Sequence, residues 1–192
     1  MRSNHNTEVA IKFIKKLSFI LEVKSFLDIS DQEIDRVNEI FFESSARTHF
    51  SSQKKRERFQ YKYLDYYKIY HPELFFVLCD PRPIGYICGV PRILKEKKLF
   101  ELLGHLHAFK DYYEDYPAHL HINLDQECTG KGFGSYLLGY FEAYLREKKL
   151  KGVHLVTSPG ARNNHFYLKN GYTFTVEKTY KDVPLLFMGK SL

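Results

Sequence analysis

Apolar positions recur along this chain at two periods, and the switches between them divide it into helices and strands. Residues 31–45 carry Ile34, Val37, Ile40 and Phe41 along one helical face. Ser30-Asp31-Gln32-Glu33 precedes them, and a serine three residues before a glutamate predicts a helix start capped in both directions. Residues 53–70 repeat Phe59, Tyr63, Tyr66, Tyr67 and Tyr70 at steps of three and four, which predicts a second helix with an aromatic stripe, ended by His71-Pro72. Apolar runs at 74–79 and 84–90, joined by Asp80-Pro81-Arg82-Pro83, read as a hairpin. A short helix is expected at 94–103. Residues 118–124 then alternate, setting His119, His121 and Asn123 on one face of a strand and Leu120, Ile122 and Leu124 on the other. A helix at 132–148 buries Leu137, Leu138, Phe141 and Leu145. A strand at 153–157, a short helix at 163–170 stopped by Gly171, and strands at 172–177 and 185–188 complete the order. Residues 7–28 fit both periods, and a short helix followed by a strand over 24–29 is expected there. The succession predicts one α/β domain built on a single mixed, twisted sheet flanked by helices.

Composition narrows the class. The 192 residues suit one domain, with 44% hydrophobic and 27% charged residues. The formal charge is +6, and two basic runs (Lys54, Lys55, Arg56 and Arg58, then Lys148, Lys149 and Lys151) are either solvated helix faces or attractors for an anionic ligand. No motif for reading nucleic acid accompanies them, so no specific nucleic acid is expected as a partner. Fifteen tyrosines and 16 phenylalanines supply groove lining as well as core. Cys79, Cys88 and Cys128 have neither metal nor disulfide spacing, which points to a reduced, cytoplasmic protein. The apolar patch at 11–21 is broken by lysines and is too short to cross a bilayer, so no membrane partner is expected.

The stretch from Ala118 to Ser135, AHLHINLDQECTGKGFGS, places a strand, a polar turn, a glycine loop and a helix start in succession. Loop and first-turn N–H groups and the positive helix end favour a phosphorylated ligand there. The order GKGFGS excludes a P-loop nucleotidase, because the upstream glycine and the Gly-Lys-Ser/Thr sequence are missing.

Three segments together resemble the GNAT acyltransferases. They are the hairpin strand IGYICGV, the strand and loop HLHINL…TGKGFGSYLL, and the pair GVHLVTS and NNHFYLKNGYTF. The resemblance covers about residues 25–190, leaving residues 1–24 as an N-terminal extension before a domain over 25–192. Within the superfamily, YPAHLHINL, GVHLVT and GARNNHFYLKNGY are similar to bacterial acetyltransferases related to the acetyltransferase-like domain of O-GlcNAcases, a branch in which inactivity has been argued.

The resemblance implies a sheet splayed at the cofactor-binding strand, acetyl-CoA as cosubstrate, and a small-molecule or protein amine as acceptor, with a homodimer left open. The family's phosphate loop, Arg/Gln-x-x-Gly-x-Gly/Ala, falls on Thr129, Gly130, Lys131, Gly132, Phe133 and Gly134, with Ser135 following. Both glycines of the pattern are present, but Thr129 replaces the leading Arg or Gln. Lys131 points either at phosphate or at water. Backbone groups of Ile122, Asn123 and Leu124 are implied as partners of the pantetheine arm, and Asn163 or Asn164 as a further cofactor contact or a helix cap. Tyr167 is implied as the proton donor to the leaving thiolate.

For the proton acceptor the alternating strand offers His119 and His121, whose imidazoles suit amine deprotonation near neutrality or serve as satisfied structural groups. No third ligand is spaced to join them, so no metal is expected. Tyr63 and Tyr67 read as core or as a groove wall that binds the acceptor. Asp111, Glu114 and Asp115 either hold a cationic acceptor or solvate a loop; Asp111 and Asp115 are the candidates.

Overall fold

The computed structural model describes residues 21–45, 47 and 49–192. The short helix expected ahead of residue 24, and most of the N-terminal extension, lie outside the described residues. Strands β1 (Glu22–Ser25), β2 (Phe75–Cys79), β3 (Pro83–Val90), β4 (Ala118–Leu124), β5 (Gly152–Thr157), β6 (Phe174–Tyr180) and β7 (Val183–Ser191) form one seven-stranded sheet in the order β1-β2-β3-β4-β5-β7-β6. All neighbours run antiparallel except β4 and β5. That parallel contact is short. Only Ala118↔Val153 and His119↔His154 pair across it, after which the strands part. On its other side β4 stays paired to β3 through Leu124. The expected splay is therefore present, and residues 121–124 lose their cover where it opens.

The two sheet faces carry separate cores. One packs α1 (Asp31–Ser44), α3 (Tyr66–Tyr70), α4 (Lys97–Leu102) and a 3₁₀ segment (Gly104–Tyr112) over Tyr86, Cys88, Val90 and Phe187. The other packs α5 (Phe133–Glu147) and α6 (Asn164–Lys169) over Ile87, Leu120, Val153 and Leu155. α1 begins as expected. The Ser30 hydroxyl accepts from the Glu33 N–H, and the Glu33 carboxylate accepts from the Ser30 N–H at 2.8 Å. α6 ends in a Schellman turn: Tyr172 N–H donates to Tyr167 O, Gly171 N–H to Leu168 O, and Gly171 takes φ +89°.

Three expectations change in form. The first strand lies at Glu22–Ser25, because the Ser25 hydroxyl accepts the Leu27 N–H at 3.2 Å and winds Phe26–Asp28 into a 3₁₀ turn. The helix expected at 53–70 is interrupted. α2 (Gln53–Gln60) passes into a π-helical turn (Tyr61–Asp65) before α3, with the Tyr66 N–H reaching back to Tyr61 O. The extra residue rotates the aromatic stripe, so that Tyr63 and Tyr67 turn toward β4 and Tyr66 turns toward Glu96. The last two strands are longer than expected and join as a tight hairpin through Lys181 and Asp182.

Candidate functional site

The strand that separates from its neighbour runs directly into the glycine loop. Asp125 ends β4, its N–H bonded to Ile84 O and its carboxylate accepting the Glu127 N–H at 3.0 Å. Arg36 on α1 holds the same carboxylate at 2.6 Å, pinning the strand end to the neighbouring helix. Burial pushes the Asp125 carboxyl up, but the Glu127 N–H and then that guanidinium outweigh it and hold the group below the usual carboxylate range. The loop then takes two left-handed turns, Gly130 at φ +75° and Gly132 at φ +87°, and nothing lies within 4 Å of a side chain built on either. A side chain at those angles would be strained, and here the missing atoms leave open space.

α5 starts at this opening. Its cap residue is Gly132, which has no side chain to accept a bond, and the first carbonyl bond runs from Tyr136 N–H to Gly132 O at 3.1 Å. The N–H groups of Phe133, Gly134 and Ser135 therefore emerge from the helix end, where the backbone dipole is positive. Lys131 stands exposed beside them. Gly134 differs from the other two glycines. A Cβ there would sit 3.1 Å from Phe166 and 3.2 Å from Leu124, so this glycine lets α5 close onto β4 and α6.

Thr129 is already occupied. Its N–H and its hydroxyl both donate to Gln126 O, at 3.3 and 2.8 Å. The residue that replaces the family's Arg or Gln is thus spent on closing a turn. The asparagines also divide. Asn164 donates to Ser158 O and Pro159 O, which fixes the loop after β5, and its Oδ1 is buried without a partner; Asn163 is exposed and caps nothing. The cap alternative finds no bond. Tyr167 is buried against Phe166 and Tyr172, and burial pushes its phenol up, so it stays protonated at neutral pH.

On the opposite face the histidines form a chain. His119 and His121 share a hydrogen bond, Nε2 to Nε2 at 3.2 Å, with rings nearly perpendicular. His154, brought beside His119 by the last paired position of β4 and β5, has its ring 4.9 Å away and its Nδ1 2.6 Å from Tyr116 O. A carbonyl only accepts, so Nδ1 of His154 carries the proton and Nε2 is bare. His119 is fully buried and His121 is half-buried at the opening. Burial holds all three neutral at pH 7: His121 is pushed down to about 4 with help from His105, His154 to about 3, and His119 well below its ordinary value with repulsion from the other rings. These imidazoles are weaker proton acceptors than residues titrating near neutrality, contrary to the expectation for an isolated pair. Although His154 joins the two strand histidines, no cluster of metal-ligating side chains forms among the described residues.

The tyrosines and acids predicted to bind an acceptor separate. Tyr63 is half-buried with its ring 6.0 Å from His121. Tyr67, also near His121 at 5.2 Å, is wholly buried and supports it from beneath, because the π-helical turn carries it inward; it lines no open groove. Asp111 turns away to pair with Lys178 on β6 at 3.3 Å, and Asp115 is exposed at the far end of the strands, its carbonyl packed on Gly152. Glu114 lines a separate cleft with Arg92, Lys95, Lys149 and Lys151. The acidic segment therefore does not surround His121. The histidine chain and Tyr167 lie on opposite faces of the sheet, beside the same gap between β4 and β5.

Known proteins share this fold. A model of the Acetyltransferase (GNAT) family matches residues 38–172. Among solved structures, SsHAT is 23% identical over 88% of this chain and 97% of its own, with a TM-score of 0.69. PaiA N-acetyltransferase from Thermoplasma acidophilum, solved in complex with coenzyme A, is 17% identical over 90% of this chain and 99% of its own, with a TM-score of 0.59. A GNAT superfamily phosphinothricin acetyltransferase from Sinorhizobium meliloti, solved in complex with AcCoA, is 15% identical over 90% of this chain and 88% of its own, at a TM-score of 0.56. At these identities the structures share the fold. No curated protein matches the chain. No helix among the described residues is long and apolar enough to cross a membrane.

Proposed function

The chain belongs to the GNAT acetyltransferase family, and from that premise we propose that it transfers an acetyl group from acetyl-CoA directly to an amine. One observation carries this reading. β4 parts from β5 ahead of a glycine loop with open space at Gly130 and Gly132, and the helix that follows begins with three N–H groups that no carbonyl takes.

In this reading the N–H groups of Gly130 to Ser135 hold the diphosphate, Lys131 adds charge, and the uncovered edge of β4 at Ile122, Asn123 and Leu124 bonds the pantetheine arm. The unpartnered oxygen of Asn164 is free to accept from that arm. A β4 N–H near the thioester polarises its carbonyl and stabilises the oxyanion formed on attack. The amine enters neutral. As its nitrogen bonds to the carbonyl carbon it becomes cationic and strongly acidic, so an imidazole of low basicity suffices to receive one proton from it. His121, at the opening, is that acceptor, and His119 behind it fixes the ring through the shared bond. The carbon–sulfur bond then breaks, and the departing thiolate takes its proton from Tyr167, a phenol that burial keeps protonated.

Thr129 favours a second reading, because its donors are spent on Gln126. On that reading the chain sides with the O-GlcNAcase-linked branch and binds CoA without turnover. Thermal shift with acetyl-CoA, CoA and an unrelated nucleotide, followed by thiol release over a panel of amines, separates the two. Stabilisation by both CoA species with thiol release supports transfer, stabilisation without release supports the second reading, and no stabilisation removes both.

A further inference from the structure

The second basic run divides where α5 ends. Lys148 lays its ammonium over the Tyr144 ring at 5.1 Å, whereas Lys149 and Lys151 line a cleft of about 220 Å³ together with Arg92, Lys95 and Glu114. Pro117 and Leu150, both buried, add apolar lining. Separate stretches of backbone bring these residues to one place. Arg92 and Lys95 share a 3₁₀ turn after β3, closed by the Lys95 N–H on Arg92 O and held to the start of β4 by the Ile93 N–H on Pro117 O, both at 2.9 Å. Lys149 belongs to a Schellman turn, its N–H donating to Arg146 O at 2.9 Å and the Leu150 N–H to Leu145 O at 3.1 Å. It takes φ +55°, a left-handed angle that glycine adopts without strain, yet a lysine stands there. Lys151 is fixed by the Leu192 N–H, which donates to its carbonyl at 2.8 Å.

Four cations share this cleft with one carboxylate. Among the described residues none of the four lies within 4.0 Å of a carboxylate oxygen, the chain end included. Asp115 is exposed and outside the lining, and Glu96 reaches Tyr66 at 2.7 Å and His71 at 3.1 Å, neither of which borders the cleft. Like charges held around one cavity repel, and an anion that bonds to several of them relieves the repulsion. A carboxylate offers two oxygens in one plane and a single charge. A phosphate monoester offers three oxygens and close to two charges, which suits cations arriving from different sides. Glu114 can only accept, so it selects a ligand that also carries a hydroxyl. The volume falls below the range of about 300–1,000 Å³ that takes drug-sized ligands, so the ligand is small.

We propose that this cleft binds a small phosphate monoester with a hydroxyl-bearing body, at a site separate from the glycine loop. Arg92, Lys95, Lys149 and Lys151 take the phosphate, and Glu114 takes a hydroxyl. The two sites stand at opposite ends of β4 and of α5, about 20 Å apart by the rise of a seven-residue strand. The assignment does not depend on acetyl transfer.

Calorimetric titration of glucose 6-phosphate against glucose and against citrate tests it. Glucose 6-phosphate should bind about tenfold more tightly than either, or better. Lys149→Gly removes a cation and gives the left-handed position its preferred residue, so the variant folds, and it should weaken glucose 6-phosphate about tenfold; Arg92→Gln should do the same. Saturating acetyl-CoA should leave the bound phosphate in place. The proposal is overturned if glucose 6-phosphate fails to bind, if glucose or citrate matches it, or if either variant binds it as tightly as wild type. Displacement by acetyl-CoA overturns it too, because the phosphate would then lie in the glycine loop.

Discussion

Mild acid should unfold this protein through three histidines. His119, His121 and His154 are neutral in the fold, with His121 held down at about 4 and His154 at about 3, whereas unfolding returns each to about 6.5. Folded values are depressed, so the unfolded chain binds more protons below pH 6.5. The stability gained from keeping the rings neutral is complete above that pH, is lost progressively as pH falls below it, and is gone once the folded values are passed. By about pH 5 each ring costs about 2 kcal/mol, together roughly 6, which rivals the whole stability of an ordinary domain of about 5–15 kcal/mol. Carboxylates barely titrate in that interval, so the histidines dominate it. Urea unfolding midpoints followed from about pH 7.5 to about pH 5 measure the effect. Stability should fall by up to about 4 kcal/mol per pH unit at the steepest, and His121→Asn should reduce that slope by about a third. An unchanged unfolding free energy across the interval would refute the picture of a desolvated imidazole chain.

Other outcomes follow from single positions. In α5, Gly139→Ala meets open space and should stabilise by about 0.5–1 kcal/mol, while Gly134→Val drives a side chain into Phe166 and Leu124 and should cost about 1–3 kcal/mol; paired denaturation curves decide it. Tyr167→Phe should lower kcat at least tenfold and leave acetyl-CoA affinity nearly unchanged, and unaltered turnover would strip the phenol of its role. Arg36→Ala leaves the buried Asp125 carboxylate without its guanidinium, and should cost about 2–3 kcal/mol at pH 7, less as Asp125 is protonated in acid.

Local chemistry in the sequence announced much of this fold. Ser30 and Glu33 marked a helix start that the structure closes in both directions, and Gly171 marked a helix end that it closes as a Schellman turn. The glycines at 130 and 132 foretold an open loop because only their φ values, not distant contacts, decide it. What stayed hidden depends on register and on backbone choices without a residue signature. The β6–β7 hairpin needs two positive φ angles, which Lys181 and Asp182 supply at +49° and +63° where Asn-Gly would have announced them. The π-helical turn keeps a helical pattern while moving Tyr67 inward and leaving Tyr63 at the surface. His154 carried no sign of joining His119 and His121, because that requires knowing which residues of β4 and β5 stand side by side. The side chains of Asp111 and Thr129 were equally unreadable, each being claimed by a partner, Lys178 or Gln126, that spacing does not reveal.

The seat of the diphosphate can be observed directly by following backbone amide resonances while acetyl-CoA is added. Binding in the loop predicts that the N–H protons of Gly130 to Ser135 make the largest shifts, downfield, as they acquire charged acceptors. Saturation that leaves those amides unmoved while others shift would contradict it.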